Sequence, residues 1–164
     1  MQSLMVKYSA AITIISAIAA AQINPSRYNV IFEDDFNELD VSAHGPCGEG
    51  GTKWIAHHVI GGDFGDARFT DPQDGFPFTV SDGILRIEAK RVDGRWRSGL
   101  IMSADGERRG FRNSYGYYEA RIKLPPGPGT WPAFWLNSWE GAELDIMEHY
   151  GHHPYDFQAA VHHW

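Results

Sequence analysis

The chain has 164 residues with a formal net charge of −7, 43% hydrophobic and 13% aromatic residues, and one cysteine, Cys47. An acidic chain whose lysines and arginines are dispersed carries no basic stripe for nucleic acid. A lone cysteine cannot close an internal disulfide, so the fold has to be held by its core.

Residues 1–21 read as a secretory leader. Lys7 supplies a charge, residues 8–21 are mostly small and apolar, and Ala19-Ala20-Ala21 suits signal peptidase. The apolar stretch is short for a membrane span, which needs ~20 residues. The chain is therefore expected to be secreted or periplasmic, with no membrane association once the leader is removed. Residues 22–164 form the mature part. Cys47 lies in a loop, His44-Gly45-Pro46-Cys47-Gly48, and reads as incidental there.

The mature part alternates short apolar runs with Gly, Pro, Asp and Asn, the signature of an all-β protein. Val30-Ile31-Phe32 opens a strand before the acidic turn Glu33-Asp34-Asp35. Phe78-Thr79-Val80, the turn Ser81-Asp82-Gly83 and the run Ile84–Ala89 predict a hairpin. A second turn, Val92-Asp93-Gly94-Arg95, precedes the short run Gly99–Ser103. The clearest alternation is 115–124, with Tyr117, Glu119, Arg121 and Lys123 on one face and Tyr118, Ala120, Ile122 and Leu124 on the other. A Pro/Gly run, 125–129, then breaks regular structure. No sustained 3.6-residue period is seen in 22–164, so a sandwich or jelly roll of antiparallel sheets is expected.

The segment Glu143-Leu144-Asp145-Ile146-Met147-Glu148 carries the chemistry. Strict period two puts Glu143 and Asp145 on one face and Glu148 on the other. A β-bulge after Asp145 absorbs one residue and returns Glu148 to the face of Glu143. The two glutamates then stand about four strand positions apart, ~13 Å between Cα atoms at ~3.3 Å per residue. Their side chains can close that gap toward the ~5–5.5 Å between carboxyl groups that a retaining glycosidase uses. Asp145 can help keep a proton in the cluster by like-charge coupling. From the pattern alone two readings stand side by side: a catalytic carboxylate pair, and a structural strand with a solvated acidic face.

These residues strongly resemble glycoside hydrolase family 16 in its bulged Glu-x-Asp-x-x-Glu form. The segments 32–37, 79–87, 116–125 and 129–136 resemble the family as well, so the likeness runs from about Val30 to Trp164. It implies a concanavalin-like β-jelly roll sandwich. It also implies a monomeric, retaining, endo-acting hydrolase of a polysaccharide substrate: a β-1,3- or mixed-linkage glucan, or a bacterial exopolysaccharide such as succinoglycan. Carried over by residue, Glu143 is the nucleophile, Glu148 the acid/base and Asp145 their assistant. Trp131 and Trp135 match tryptophans of the substrate cleft, and His162, with His163 beside it, resembles a histidine close to the acid/base. Family members often carry a structural calcium, for which the sequence assigns no ligands; no other cofactor is implied. The segment 148–153 and His162-His163 supply many imidazoles, but their spacing fits no helical zinc motif, so no catalytic metal is expected.

The chain stops soon after this strand, whereas family members continue with strands that complete both sheets. Residues 22–164 therefore read as the N-terminal portion of a catalytic domain truncated at its C-terminus. Two alternatives accompany the enzyme reading: an inactive truncated fragment, and a non-catalytic carbohydrate-binding jelly roll. The second would retain the aromatics and lose the acids.

Overall fold

The computed structural model describes residues 23–164; the leader assigned to residues 1–21 lies outside the described residues. Apart from a 3₁₀ turn at Pro25–Arg27, every regular element among the described residues is a β-strand. The chain divides into two compact units, the first ending at Gly116 and the second running from Tyr117 to Trp164.

The first unit contains β1 (Val41–Ser42), β2 (Trp54–Ile55), β3 (Arg68–Phe69), β4 (Phe78–Ser81), β5 (Ile84–Ile87), β6 (Lys90–Val92) and β7 (Arg95–Ser98). β1 and β2 pair in parallel, β4 and β5 form an antiparallel hairpin, and β7 pairs antiparallel to β6 and parallel to β3. The two Asp-Gly turns act as the sequence predicts. Asp82 and Gly83 have φ of 54° and 68°, and Asp93 and Gly94 have φ of 50° and 77°. Two successive left-handed residues give the type I′ geometry whose twist suits a two-residue hairpin, and Gly in the second place removes half the steric cost. The strand after the second turn is Arg95–Ser98 rather than the run Gly99–Ser103. In that run only Met102 pairs, exchanging backbone hydrogen bonds with Ile55 at 2.8 and 2.9 Å. Gly99 instead makes room for the buried ring of Phe78, whose Cε1 lies 2.6 Å from where a Cβ would stand.

Two other expectations change. Val30–Phe32 is not a strand: Val30 and Ile31 are exposed, and Phe32 is held as an aromatic anchor, stacked on Phe111 at 4.6 Å and edge-on to Trp54 at 5.2 Å. Residues 115–124 also form no strand. Alternation gives a segment two faces, but a strand exists only where a neighbouring backbone takes up its N–H and C=O groups.

Cys47 is part of the core of the first unit rather than an incidental loop residue. It is buried, and its backbone N–H donates to the Asp105 carboxylate at 2.9 Å. Asp105 is itself 1% exposed, and both its oxygens only accept. Oδ1 takes the backbone N–H groups of Glu107 and Arg109, and Oδ2 takes Cys47 N–H and Arg109 Nε–H. Burial alone would raise this carboxyl's pKa; the donors overcome it and hold the group at about 2 against an ordinary 3.8. An amide at this position would turn an NH₂ against two of the four donors. Asp105→Asn is therefore expected to lower the thermal midpoint at pH 7 by about 5 °C or more. Because the folded pKa is depressed, the carboxylate's contribution is fully present above 3.8 and is lost as pH falls through about 2. The deficit of the variant should shrink over that window in acid-unfolding curves.

The second unit is one antiparallel sheet of β8 (Ala133–Asn137), β9 (Ala142–Glu148) and β10 (Gln158–His163), with β9 in the centre. Beyond the strand ends the pairing continues, with His149 N–H donating to Pro132 O at 3.0 Å and Gly151 N–H to Thr130 O at 2.9 Å. Ser138 closes the turn between β8 and β9, its hydroxyl accepting from Glu140 N–H and Ala142 N–H.

Candidate active site

The register of β9 against both neighbours settles which way its carboxylates face. On β8, Asn137 stands opposite Glu143, Trp135 opposite Asp145, and Ala133 opposite Glu148. On β10, His162 stands opposite Glu143, Ala160 opposite Asp145, and Gln158 opposite Glu148. Each flanking strand advances two residues between the partners of Asp145 and Glu148, while β9 advances three. The extra residue is a β-bulge, and the register breaks there against both neighbours. Residues two apart on a regular strand share a face, and so do direct partners across a ladder. Glu143, Asp145 and Glu148 therefore line one face of the sheet, together with Trp135, Asn137 and His162.

Leu144 and Val161 lie on the reverse face. The sequence pattern expects the apolar residues between the acids to enter a core, but Leu144 is 42% exposed and Val161 78%. Period two places them away from the carboxylates, and that face of the sheet is open at both positions.

Each acid has an assigned partner. Trp131 donates its Nε1–H to Glu148 Oε1 at 3.0 Å and stacks on Tyr150 at 5.5 Å between centroids. Tyr150 also faces this carboxylate; burial and the charges of Glu148 and Asp145 raise the phenol's pKa. At the other end, Trp164 donates its Nε1–H to Glu143 Oε2 at 3.2 Å and stacks on His162 at 5.0 Å. His162 Nε2 lies 3.1 Å from Asp145 Oδ2. Asp145 is buried, and its pKa is raised by that burial and by the charge of Glu143, against the opposing pull of His162. It is poised to keep a proton to higher pH than an ordinary aspartate, beside a Glu143 oxygen that lies within 4.8 Å of its own.

All six residues singled out from the sequence belong to this unit. Trp131 and Trp135 both belong to the carboxylate face, Trp131 through its bond to Glu148 and Trp135 through its pairing with Asp145. His162 is placed differently from expectation. It pairs opposite Glu143 and contacts Asp145, whereas Gln158 stands opposite Glu148, so the histidine serves the Glu143 end. The antiparallel register of β10 on β9 sets that level.

Tyr150 and Trp164 were not anticipated. Each lies two residues beyond a site residue, Glu148 and His162 respectively, and that period-two spacing was the available signal. The loop histidines do not gather with Glu148. His149 is buried and donates Nδ1–H to Asp156 O at 2.8 Å, while His152 and His153 contact each other.

The family model for glycosyl hydrolases family 16 matches residues 74–164, which contain the whole carboxylate sheet. The chain belongs to that family. Similar proteins include endo-1,3-1,4-beta-glycanase EglC of Rhizobium meliloti (strain 1021), 32% identical over 152 residues that cover 80% of this chain and 32% of the relative. Endo-1,3-1,4-beta-glycanase ExsH of the same organism is 34% identical over 98 residues, covering 52% of this chain and 20% of that protein. A beta-glucanase of Rhodothermus marinus is 35% identical over 95 residues, covering 51% of this chain and 32% of the relative. The chain thus spans about a third or less of the length of these relatives. No solved structure matches it. The all-β content of the described residues agrees with the jelly-roll sandwich implied by the family 16 resemblance.

Proposed function

We propose that this chain carries the catalytic strand of an endo-acting, retaining β-glycan hydrolase. Glu143 attacks the anomeric carbon, and Glu148 protonates the leaving glycosidic oxygen and then deprotonates the incoming water. The observation that carries the reading is the bulge that brings Glu143, Asp145 and Glu148 to one face. The face places indole N–H donors on both glutamates and an aspartate between them with a raised pKa. In the first step the Trp131 donor orients Glu148 toward the leaving oxygen. Asp145, retaining its proton, donates toward Glu143 and steadies the charge on that carboxylate, and His162 fixes the Asp145 rotamer. Trp131, 46% exposed, offers an indole face to the apolar side of a sugar ring.

The substrate class follows the names of the relatives, β-glycans with 1,3 and 1,4 linkages; the family resemblance adds a bacterial exopolysaccharide. Such polymers lie outside the cell, so the leader read in residues 1–21 belongs to the proposal, as does action by a monomer. Reducing-sugar release from laminarin, mixed-linkage glucan, agarose and succinoglycan, beside a Glu143→Gln control, tests it. Release from at least one β-glucan or succinoglycan, and none by the control, is expected; equal release by the two proteins would remove Glu143 from the mechanism.

Asp145→Asn keeps the shape and the donor of a protonated aspartate but cannot exchange the proton. It is expected to lower kcat by roughly 10–100-fold with a nearly unchanged KM, a smaller loss than at either glutamate. Steady-state kinetics on the best of these polymers checks it.

A further inference from the structure

We propose that the first unit carries a divalent transition-metal site, of the kind that takes Zn²⁺, formed by His44, His57 and Asp71. The topology assembles it from residues far apart in sequence. β1 and β2 pair in parallel with Ser42 opposite Ile55, and Ala56 N–H donates to Ser42 O at 2.9 Å. His44 and His57 each lie two residues past this last pair, so the parallel register brings them level. Their rings stack at 4.9 Å between centroids. Asp71 lies two residues past the end of β3, and its Oδ1 is 2.6 Å from His57 Nε2. One ligand atom from each residue lies within 4.8 Å of the other two.

The backbone that carries Asp71 is fixed independently of any ion. Asp63 Oδ1 accepts Phe69 N–H at 2.7 Å, its Oδ2 accepts Arg68 Nη1–H at 2.7 Å, and Thr70 N–H donates to Ser98 O at 3.0 Å. Asp63 also places a negative charge within electrostatic reach of His57. Two imidazoles and one carboxylate are a donor set suited to zinc, with a fourth position left to water. Zn–N and Zn–O bonds of about 2.0–2.2 Å set neighbouring ligand atoms roughly 3.3 Å apart in a tetrahedron. The His57–Asp71 pair has to open slightly and the rest to close; Asp71, with a side chain 58% exposed, and the exposed His44 ring have the freedom to do so. A bound ion would cross-link the segments following β1, β2 and β3. This site is independent of the glycan reading, and its residues are in the other unit from the carboxylates.

The full chain should be titrated with Co²⁺ and Zn²⁺, following the visible absorption of bound Co²⁺, its displacement by Zn²⁺, and the thermal midpoint. Expected are one ion per chain, an absorption of tetrahedral character, and a midpoint that rises with Zn²⁺. His57→Gln, Asp71→Asn and His44→Gln should each weaken binding by at least about tenfold. The last two alter exposed side chains and leave folding intact. His162→Gln, at the Glu143–Asp145–His162 group, should leave this binding unchanged. Absence of binding, binding undiminished in the His57 and Asp71 variants, or binding removed only by His162→Gln would each overturn the assignment.

Discussion

Glu143→Gly is expected to lower hydrolysis of an activated aryl β-glycoside by at least about a thousandfold, and added azide is expected to restore cleavage with an α-glycosyl azide as product. In the proposed mechanism, glycine leaves a hole at the position from which the carboxylate would attack. A small anion can enter it and displace the leaving group once, which inverts the β-linkage. The loss should exceed that of any other single substitution in the sheet, because no neighbour can take the place of Glu143. Asp145 is buried and paired with His162, which fixes its carboxylate within the sheet. Recovery with a β-azide would assign Glu143 the opposite role.

Glu148→Ala should split its effect by leaving group. A polysaccharide needs a proton on its departing oxygen, so cleavage should fall by about 10²–10⁴-fold. A dinitrophenolate leaves without one, so formation of the glycosyl-enzyme from such a substrate should be nearly unaffected and its breakdown slow. A burst of phenolate followed by a slow steady state is the expected trace, and azide should accelerate the second phase and give a β-glycosyl azide. Trp131 loses its acceptor in this variant, so a Trp131→Phe comparison separates loss of the acid from loss of its orientation.

The parts of this molecule that were legible in its sequence are those set by local rules. Asp82-Gly83 and Asp93-Gly94 announce their hairpins because only a few residue types accept two successive positive φ values. The acids of β9 announce a bulge because strict alternation would send Glu148 to the wrong face, and the registers with β8 and β10 place the extra residue after Asp145. What stayed hidden depends on partners distant in the chain. Asp105 reads as one more surface aspartate until it is seen gathering Cys47, 58 positions away, with two further backbone donors and Arg109. The stretch 115–124 alternates as well as any true strand, but alternation describes a segment's faces and not the neighbour it needs. The level of His162 against Glu143 was out of reach because it is set by the antiparallel register of β10 on β9, which neither segment carries by itself.

The bulge of β9 places two glutamates on one face, and the proposed retaining mechanism has Glu143 attack the anomeric carbon directly, a step that the stereochemistry of the product tests. Proton NMR of the hydrolysis of a mixed-linkage or β-1,3-linked oligosaccharide, recorded before mutarotation, follows the anomer released first. A β-anomer appearing first and relaxing toward the α/β equilibrium is predicted, since two displacements at the same carbon restore its configuration. An α-anomer appearing first would mean a single displacement by water between widely separated carboxylates, and would contradict the placement of Glu143 as nucleophile.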